Sequence, residues 1–120
     1  MDLFDATQRT LSAAIHATAA RQSVIAANIA NVNTPGYRRQ DVEFDSALQD
    51  AMRSADPDAL ERFQPTVTTD SSQPVRADGN SVDIDSENSA LAANELQNQA
   101  LLRVAASRIA IMQSAIGAAR

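Results

Sequence analysis

One hundred and twenty residues suffice for a single domain, but alanine leads the 44% apolar content, and with no Trp, one Tyr and three Phe a core of large side chains is excluded. A formal net charge of −5, with Arg38-Arg39 the only basic pair, argues against a nucleic-acid or anionic-membrane surface. The absence of cysteine removes disulfides, zinc thiolates and thiol nucleophiles.

The start, Met1-Asp2-Leu3-Phe4-Asp5, lacks the basic region and apolar run of a secretory signal, and no window approaches roughly 18 uninterrupted apolar residues, so no direct membrane span is expected. From about Asp5 to Val32 there is neither Pro nor Gly, which predicts a long helix capped by Asp5 or Thr7. Leu11, Ile15, Thr18, Gln22, Ile25, Ile29 and Val32 follow the 4,3 spacing of a coiled-coil seam whose middle is polar, flanked by alanines that permit close approach.

The helix is expected to stop in Asn28-Ile29-Ala30-Asn31-Val32-Asn33-Thr34-Pro35-Gly36-Tyr37. Asn33 tolerates the left-handed conformation, and Pro35-Gly36 is a turn pair. Three asparagines are more than a stop requires. Asn28 and Asn31 share a face on which buried amides would fix register at some cost in stability.

Asp41-Val42-Glu43-Phe44 reads as extended, and Asp45 to Arg53 as a short amphipathic helix capped by Asp45 that buries Phe44, Leu48 and Met52. Asp56-Pro57-Asp58 opens a turn, with another helical turn from Leu60 to Phe63. Thr66–Thr69 and Pro74–Ala77 are candidate strands around the loop Asp70–Gln73, either as a small hairpin or as a flexible loop. Asp78-Gly79-Asn80 is a turn, and Asp83 or Asp85 caps a second long helix from Ser86 to about Ile116, with Glu87 in its first turn, Gly117 marking its end and Arg120 beyond it. Leu102, Ala105, Ile109, Met112 and Ile116 give that helix its unbroken 4,3 stripe, while Glu95 and Asn98 interrupt the register further toward its start.

The expected fold is mainly α. Long N- and C-terminal helices form an antiparallel coiled-coil hairpin around a partly extended or β-hairpin-containing middle, divided as 1–34, 35–85 and 86–120. No catalytic, cofactor or metal site is expected. Asp78, Asn80, Asp83, Asp85 and Glu87 fail an EF-hand pattern, which would need Asp or Asn where Val82 stands, Gly at Asp83 and Glu at Ser89. His16 stands in mid-helix with only Ser12 one turn away, and the three glycines form no phosphate loop.

The ten residues from Asn28 to Tyr37 resemble the signature near the N-terminus of bacterial flagellar rod, hook and hook-filament-junction proteins. The turn Asp78-Gly79-Asn80-Ser81-Val82-Asp83-Ile84-Asp85 and the ending Ser114-Ala115-Ile116-Gly117 resemble the proximal-rod branch of that axial family, so the likeness covers about two thirds of the chain, at both ends. One departure is Leu96-Gln97-Asn98-Gln99, where related chains often carry Leu-Arg-Tyr-Gln.

The resemblance implies a structural subunit of a helical tube in the periplasmic part of the basal body. It would be homo- and hetero-oligomeric with other rod subunits and the membrane-ring/rod adaptor. Export without a cleaved signal through the flagellar type III apparatus is also implied. In that setting Leu11, Ile15, Ile25, Ile29 and Val32 would pack against Leu102, Ala105, Ile109, Met112 and Ile116, and the signature would serve assembly. A distal rod subunit and a cytoplasmic helical adaptor or export regulator are the competing expectations.

Overall fold

The computed structural model describes residues 2–54, 56 and 58–118, with side chains from residue 6 onward. Helix α1 spans Asp2–Ala30, strand β1 Gln40–Glu43, helix α2 Asp45–Arg53, strand β2 Thr66–Thr69 and helix α3 Ile84–Ala118. At about 1.5 Å per residue the 29 residues of α1 reach about 43 Å and the 35 of α3 about 52 Å, and the molecule is a rod of 67 × 28 × 15 Å. The two helices pack along each other, and β1 rests on α1.

The long helices form because neither segment contains a proline, and alanine, leucine, glutamine and arginine supply high propensity. Helix α1 begins ahead of the expected caps, so Asp5 lies inside it. Asp83 caps α3 by accepting from the amides of Asp85 at 3.0 Å and Ser86 at 3.4 Å. Gly117 does not end α3, which continues to Ala118; Arg120 lies outside the described residues.

The middle segment is more ordered than a loose insertion. Residues 66–69 do not pair with 74–77, which form no strand. They pair antiparallel with β1, Gln40 opposite Thr69 and Glu43 opposite Thr66, across α2 and the turn that follows it. The pairing works because β1 turns Val42 inward onto α1, which anchors a strand pair too short to stand alone. Val42, Phe44 and Ala17 form a buried apolar cluster, with Val24, Leu48 and Phe63 packed against it. Arg21 adds a cation over the Phe44 ring at 4.4 Å while donating to the Val42 carbonyl at 3.0 Å. Phe44, not Asp45, holds the N-cap position of α2 and gives no side-chain cap, and Met52 stays exposed instead of joining Leu48. After α2, Asp56 accepts from the Asp58 amide at 3.0 Å, and the turn continues to Arg62; Pro57 lies outside the described residues.

On α1 the expected seam faces inward. Leu11, Thr18 and Ile25 are buried, and Ile15, Gln22, Ile29 and Val32 are half-buried. On α3 the inward stripe is Glu87, Leu91, Asn94, Asn98, Leu101, Ala105 and Arg108, each buried or half-buried and following 4,3 spacing throughout. The stripe expected from apolar residues overlaps it, departing by one residue at alternate positions, with Leu102 in place of Leu101 and Ile109 in place of Arg108. Only Ala105 belongs to both; Leu102, Ile109, Met112 and Ile116 are exposed in the single chain. Of the two polar residues read as interruptions, Asn98 faces α1 and Glu95 is exposed; Asn94, one residue before Glu95, is the buried polar contact. Asn94 donates from Nδ2 to the Thr18 carbonyl at 3.0 Å and to Gln22 Oε1 at 2.9 Å. The polar middle of the α1 seam meets a polar residue of α3.

Helix α3 also passes, by length and composition, for a membrane-crossing helix. Its most apolar 18-residue window has a mean hydropathy of 1.2, with none of it buried within the chain. The expectation of no such stretch rested on uninterrupted runs, which Arg103, Ser107 and Arg108 break.

Candidate assembly site

The asparagine-rich turn is built where α1 ends against the first turn of α3. Backbone bonds from Asn31 to the Ala27 and Asn28 carbonyls and from Val32 to the Ile29 carbonyl tighten the last turn. The chain then reverses through residues 31–36. The left-handed residue is Gly36, at φ +75°, and not Asn33, because no non-glycine residue among those described has positive φ. Gly79, at φ +83°, crosses Gly36 so closely that a Cβ on it would stand 3.2 Å from the Gly36 Cα. The Gly36 amide donates to the Asp78 carbonyl at 2.8 Å, and the Ser81 amide to the Tyr37 carbonyl at 3.1 Å. The two glycine turns, distant in sequence, thus form one unit.

Asn80, fully buried, ties that unit to the helix end. Its Nδ2 donates to the Asn31 and Thr34 carbonyls, both at 2.8 Å, and its Oδ1 accepts from the Val82 amide at 2.7 Å. One side chain thereby bonds two carbonyls of the turn that follows the helix end. Arg76 donates to the Val32 carbonyl as well.

Asn28 is the second anchor, also fully buried. It donates to the Gln40 carbonyl at 2.8 Å and to Glu87 Oε2 at 3.1 Å, and accepts from the Gln40 amide at 3.0 Å and the Tyr37 hydroxyl at 3.3 Å. Its amide therefore bridges α1, the start of β1 and the first turn of α3. Glu87, 0% exposed, is ion-paired with Arg39, whose Nη1 reaches Asp70 at 2.8 Å and Asp41 at 3.3 Å. The Arg39 amide donates to Ser81 Oγ at 2.8 Å. Burial works to lower the Arg39 pKa, but the hydrogen bond and charge of Glu87, with Asp41, hold it above the ordinary value. Burial and the nearby Glu87 charge push the Tyr37 hydroxyl up. A buried carboxylate is tolerated here because it is both paired and hydrogen-bonded; removing one partner from such a pair typically costs about 3–5 kcal/mol.

Of the signature residues, Asn28 and Tyr37 enter the network by their side chains, and Gly36 by its conformation. Asn31 turns its amide back to the Ala27 carbonyl at 2.8 Å and accepts from the Thr34 hydroxyl at 3.1 Å, so it caps its own helix and does not cross the interface. Ile29 is half-buried, while Asn33 and Pro35 are exposed. Glu87, Arg39 and Asn80 were absent from the sequence-derived site: they read as a first-turn acid, an exposed cation and a turn residue. The signal that could have found Glu87 is its seven-residue spacing to Asn94, Leu101 and Arg108.

The arrangement positions no nucleophile, acid-base pair or anion cradle. It locks two helices and a strand pair into one register. What it leaves open is surface, above all the outer face of α3 from Leu102 to Ile116. Helices clasped at one end, with an unpaired apolar stripe along the other, define a helical subunit of an axial assembly. A sequence profile described as "Flagella basal body rod protein" matches residues 9–38, from about two turns into α1 through the signature turn.

The relatives sharpen this. The chain is 34% identical to the flagellar basal body rod protein FlgB of Escherichia coli (strain K12), over 97% of this chain and 96% of that protein. It is 34% identical to the FlgB of Bacillus subtilis (strain 168), over 85% and 86% of the two chains. Against the FlgB of Borreliella burgdorferi it is 32% identical over 72% and 77%. The chain belongs to the FlgB family of flagellar basal body rod proteins.

Proposed function

We propose that the chain is a structural subunit of the proximal rod, the part of the flagellar drive shaft nearest the membrane ring, and that it acts by non-covalent packing alone. The observation that carries this reading is the pairing of a locked hairpin end with an unpaired apolar face on α3, where Leu102 is 51% and Ile116 69% exposed. A side chain of that size stabilises by about 1.5–3 kcal/mol when fully buried, so several left in water amount to a reserve released only on contact with neighbours. Other axial subunits and the adaptor between rod and membrane ring are the partners that would bury it. Asn28, Asn31, Gly36 and Tyr37 serve assembly indirectly, by fixing the angle at which α1 hands over to the middle segment. The subunit reaches the periplasm without a cleaved signal, unfolded, through the flagellar type III export apparatus. A chain with no cysteine and a thin alanine-rich core suits that route. The division into 1–34, 35–85 and 86–120 is proposed as two core-forming helical ends around one outward unit.

The experiment is deletion and complementation with a tagged chain, followed by purification of basal bodies. The tagged chain should restore motility and cofractionate with the most membrane-proximal rod segment. Retention in the cytosol with intact motility would return it to an adaptor or export-regulator role, and labelling at the distal end would make it a distal rod subunit.

A further inference from the structure

The exposed stripe on α3 specifies its own occupant more closely than "a neighbour". Leu102, Ile109 and Ile116 recur every seven residues, with Met112 beside them, and such a seam is filled by a helix that inserts its knobs between them. The charge beside the seam has one sign: after Glu95 the helix holds no Asp or Glu, while Arg103 is exposed next to Leu102. A second α3 would bring arginine against arginine. The outer face of α1 carries Ser12, His16, Ala19, Ser23 and Ala26, with no acid among them.

The described helix that is exposed, amphipathic and acidic is α2. Asp45, Gln49 and Met52 lie on one side of it at i, i+4 and i+7, all exposed, with Met52 55% accessible. From Glu43 to Glu61 the chain holds six acidic residues and one arginine, Arg53. Leu48 and Ala51 are half-buried toward the chain's own core, whereas Met52, at the edge of the same apolar side, is left exposed next to Asp45 and Gln49.

We infer that the α3 seam of one subunit receives the Asp45–Met52 face of α2 from a second copy of this chain, with Arg103 set against the acidic side of that helix. The contact is heterologous, one patch meeting a different patch, and therefore propagates from copy to copy instead of closing on a pair. Its two helical turns cover about half of the seam, so the contact is weak alone and acts through repetition around the shaft. This rests on the reading of the chain as a rod subunit and names the neighbour that reading leaves open.

The chain has no cysteine, so paired cysteines report cleanly. Cells co-expressing Met52→Cys and Ile109→Cys chains should yield an intermolecular disulfide in purified basal bodies. It should exceed that from Ser12→Cys with Ile109→Cys by about tenfold, one ion pair's worth of preference. Asp45→Arg and Arg103→Glu should each reduce incorporation into basal bodies severalfold, and combined in one chain they should restore it. A dominant 12–109 or 109–109 product, or no product although both chains are present in basal bodies, overturns the inference. So does failure of the double charge reversal to recover. If the wild-type chain never enters basal bodies, the rod reading itself fails first, and the two failures are told apart by that control.

Discussion

Asn28→Ala removes the side chain that joins α1, β1 and α3. Four bonds are lost: two with the Gln40 backbone, one with Glu87 and one with the Tyr37 hydroxyl. A buried group left unpaired costs about 1–3 kcal/mol. Gln40 and Tyr37 are half-buried, so water recovers part of their loss, whereas Glu87 is sealed and keeps only its Arg39 partner. Taking about 1 kcal/mol for each half-buried residue and rather more for the carboxylate gives a loss of about 3–4 kcal/mol. Against a typical domain stability of about 5–15 kcal/mol this is a large fraction. For 120 residues it corresponds to a fall in Tm of about 12–16 °C. Urea unfolding followed by circular dichroism, with native-state hydrogen exchange at the Gln40 amide, measures it. A loss under about 1 kcal/mol, with the Gln40 amide still protected, would refute the assignment of Asn28 as the clasp.

Other perturbations separate the remaining parts of the site. Gly36→Ala and Gly79→Ala both force an L-residue to positive φ, at about 1–2 kcal/mol each; only at Gly79 does the new Cβ also meet backbone, so Gly79→Ala should destabilise more in the same unfolding assay. Asn31→Ala, whose amide bonds only within its own turn, should leave the circular dichroism of the isolated chain nearly unchanged while lowering swarm diameter; normal swarming would reduce it to a local cap. The carboxyls of Asp70, Asp78 and Asp83 are held below the usual range, led respectively by hydrogen bonds from Ser72, Asn80 and Asp85. Their native pKa values lie below the unfolded ones, so their contribution to stability is complete above about pH 4 and is lost as pH falls through the native values. The urea midpoint should therefore drop as pH falls below about 4, and Asp70→Asn should flatten that drop.

Much of this was legible from residue order. The two long helices announced themselves by the lack of Pro and by alanine content, and Asn28 to Tyr37 announced a stop. The α1 seam could be traced because its ends are apolar. The face of α3 that meets α1 could not, because polar Glu87, Asn94 and Asn98 occupy it, and a search for apolar periodicity slides to the neighbouring stripe of Leu102 and Ile109. Both stripes have the same spacing; what distinguishes them is that the polar positions of α3 lie opposite the polar Thr18, Gln22 and Asn28 of α1. The pairing of β2 with β1 was hidden for another reason. Thr66–Thr69 and Pro74–Ala77 are close in sequence, while the true partner is separated by α2, and only the burial of Val42 on α1 makes the distant pairing favourable. Arg39 looked like half of an exposed basic pair until the Glu87 carboxylate was seen beneath it.

The central claim is that the outer stripe of α3 is free in the single chain and covered in the assembled rod. It is tested most directly by the thiol reactivity of Ile109→Cys, 47% exposed at that position, in the purified chain and in purified basal bodies. The account predicts rapid labelling of the free chain and strong protection once it is assembled, while Ser46→Cys, exposed on the other side of α2, stays reactive in both. Equal reactivity of position 109 in the two states, with the chain present in the basal bodies, would contradict it.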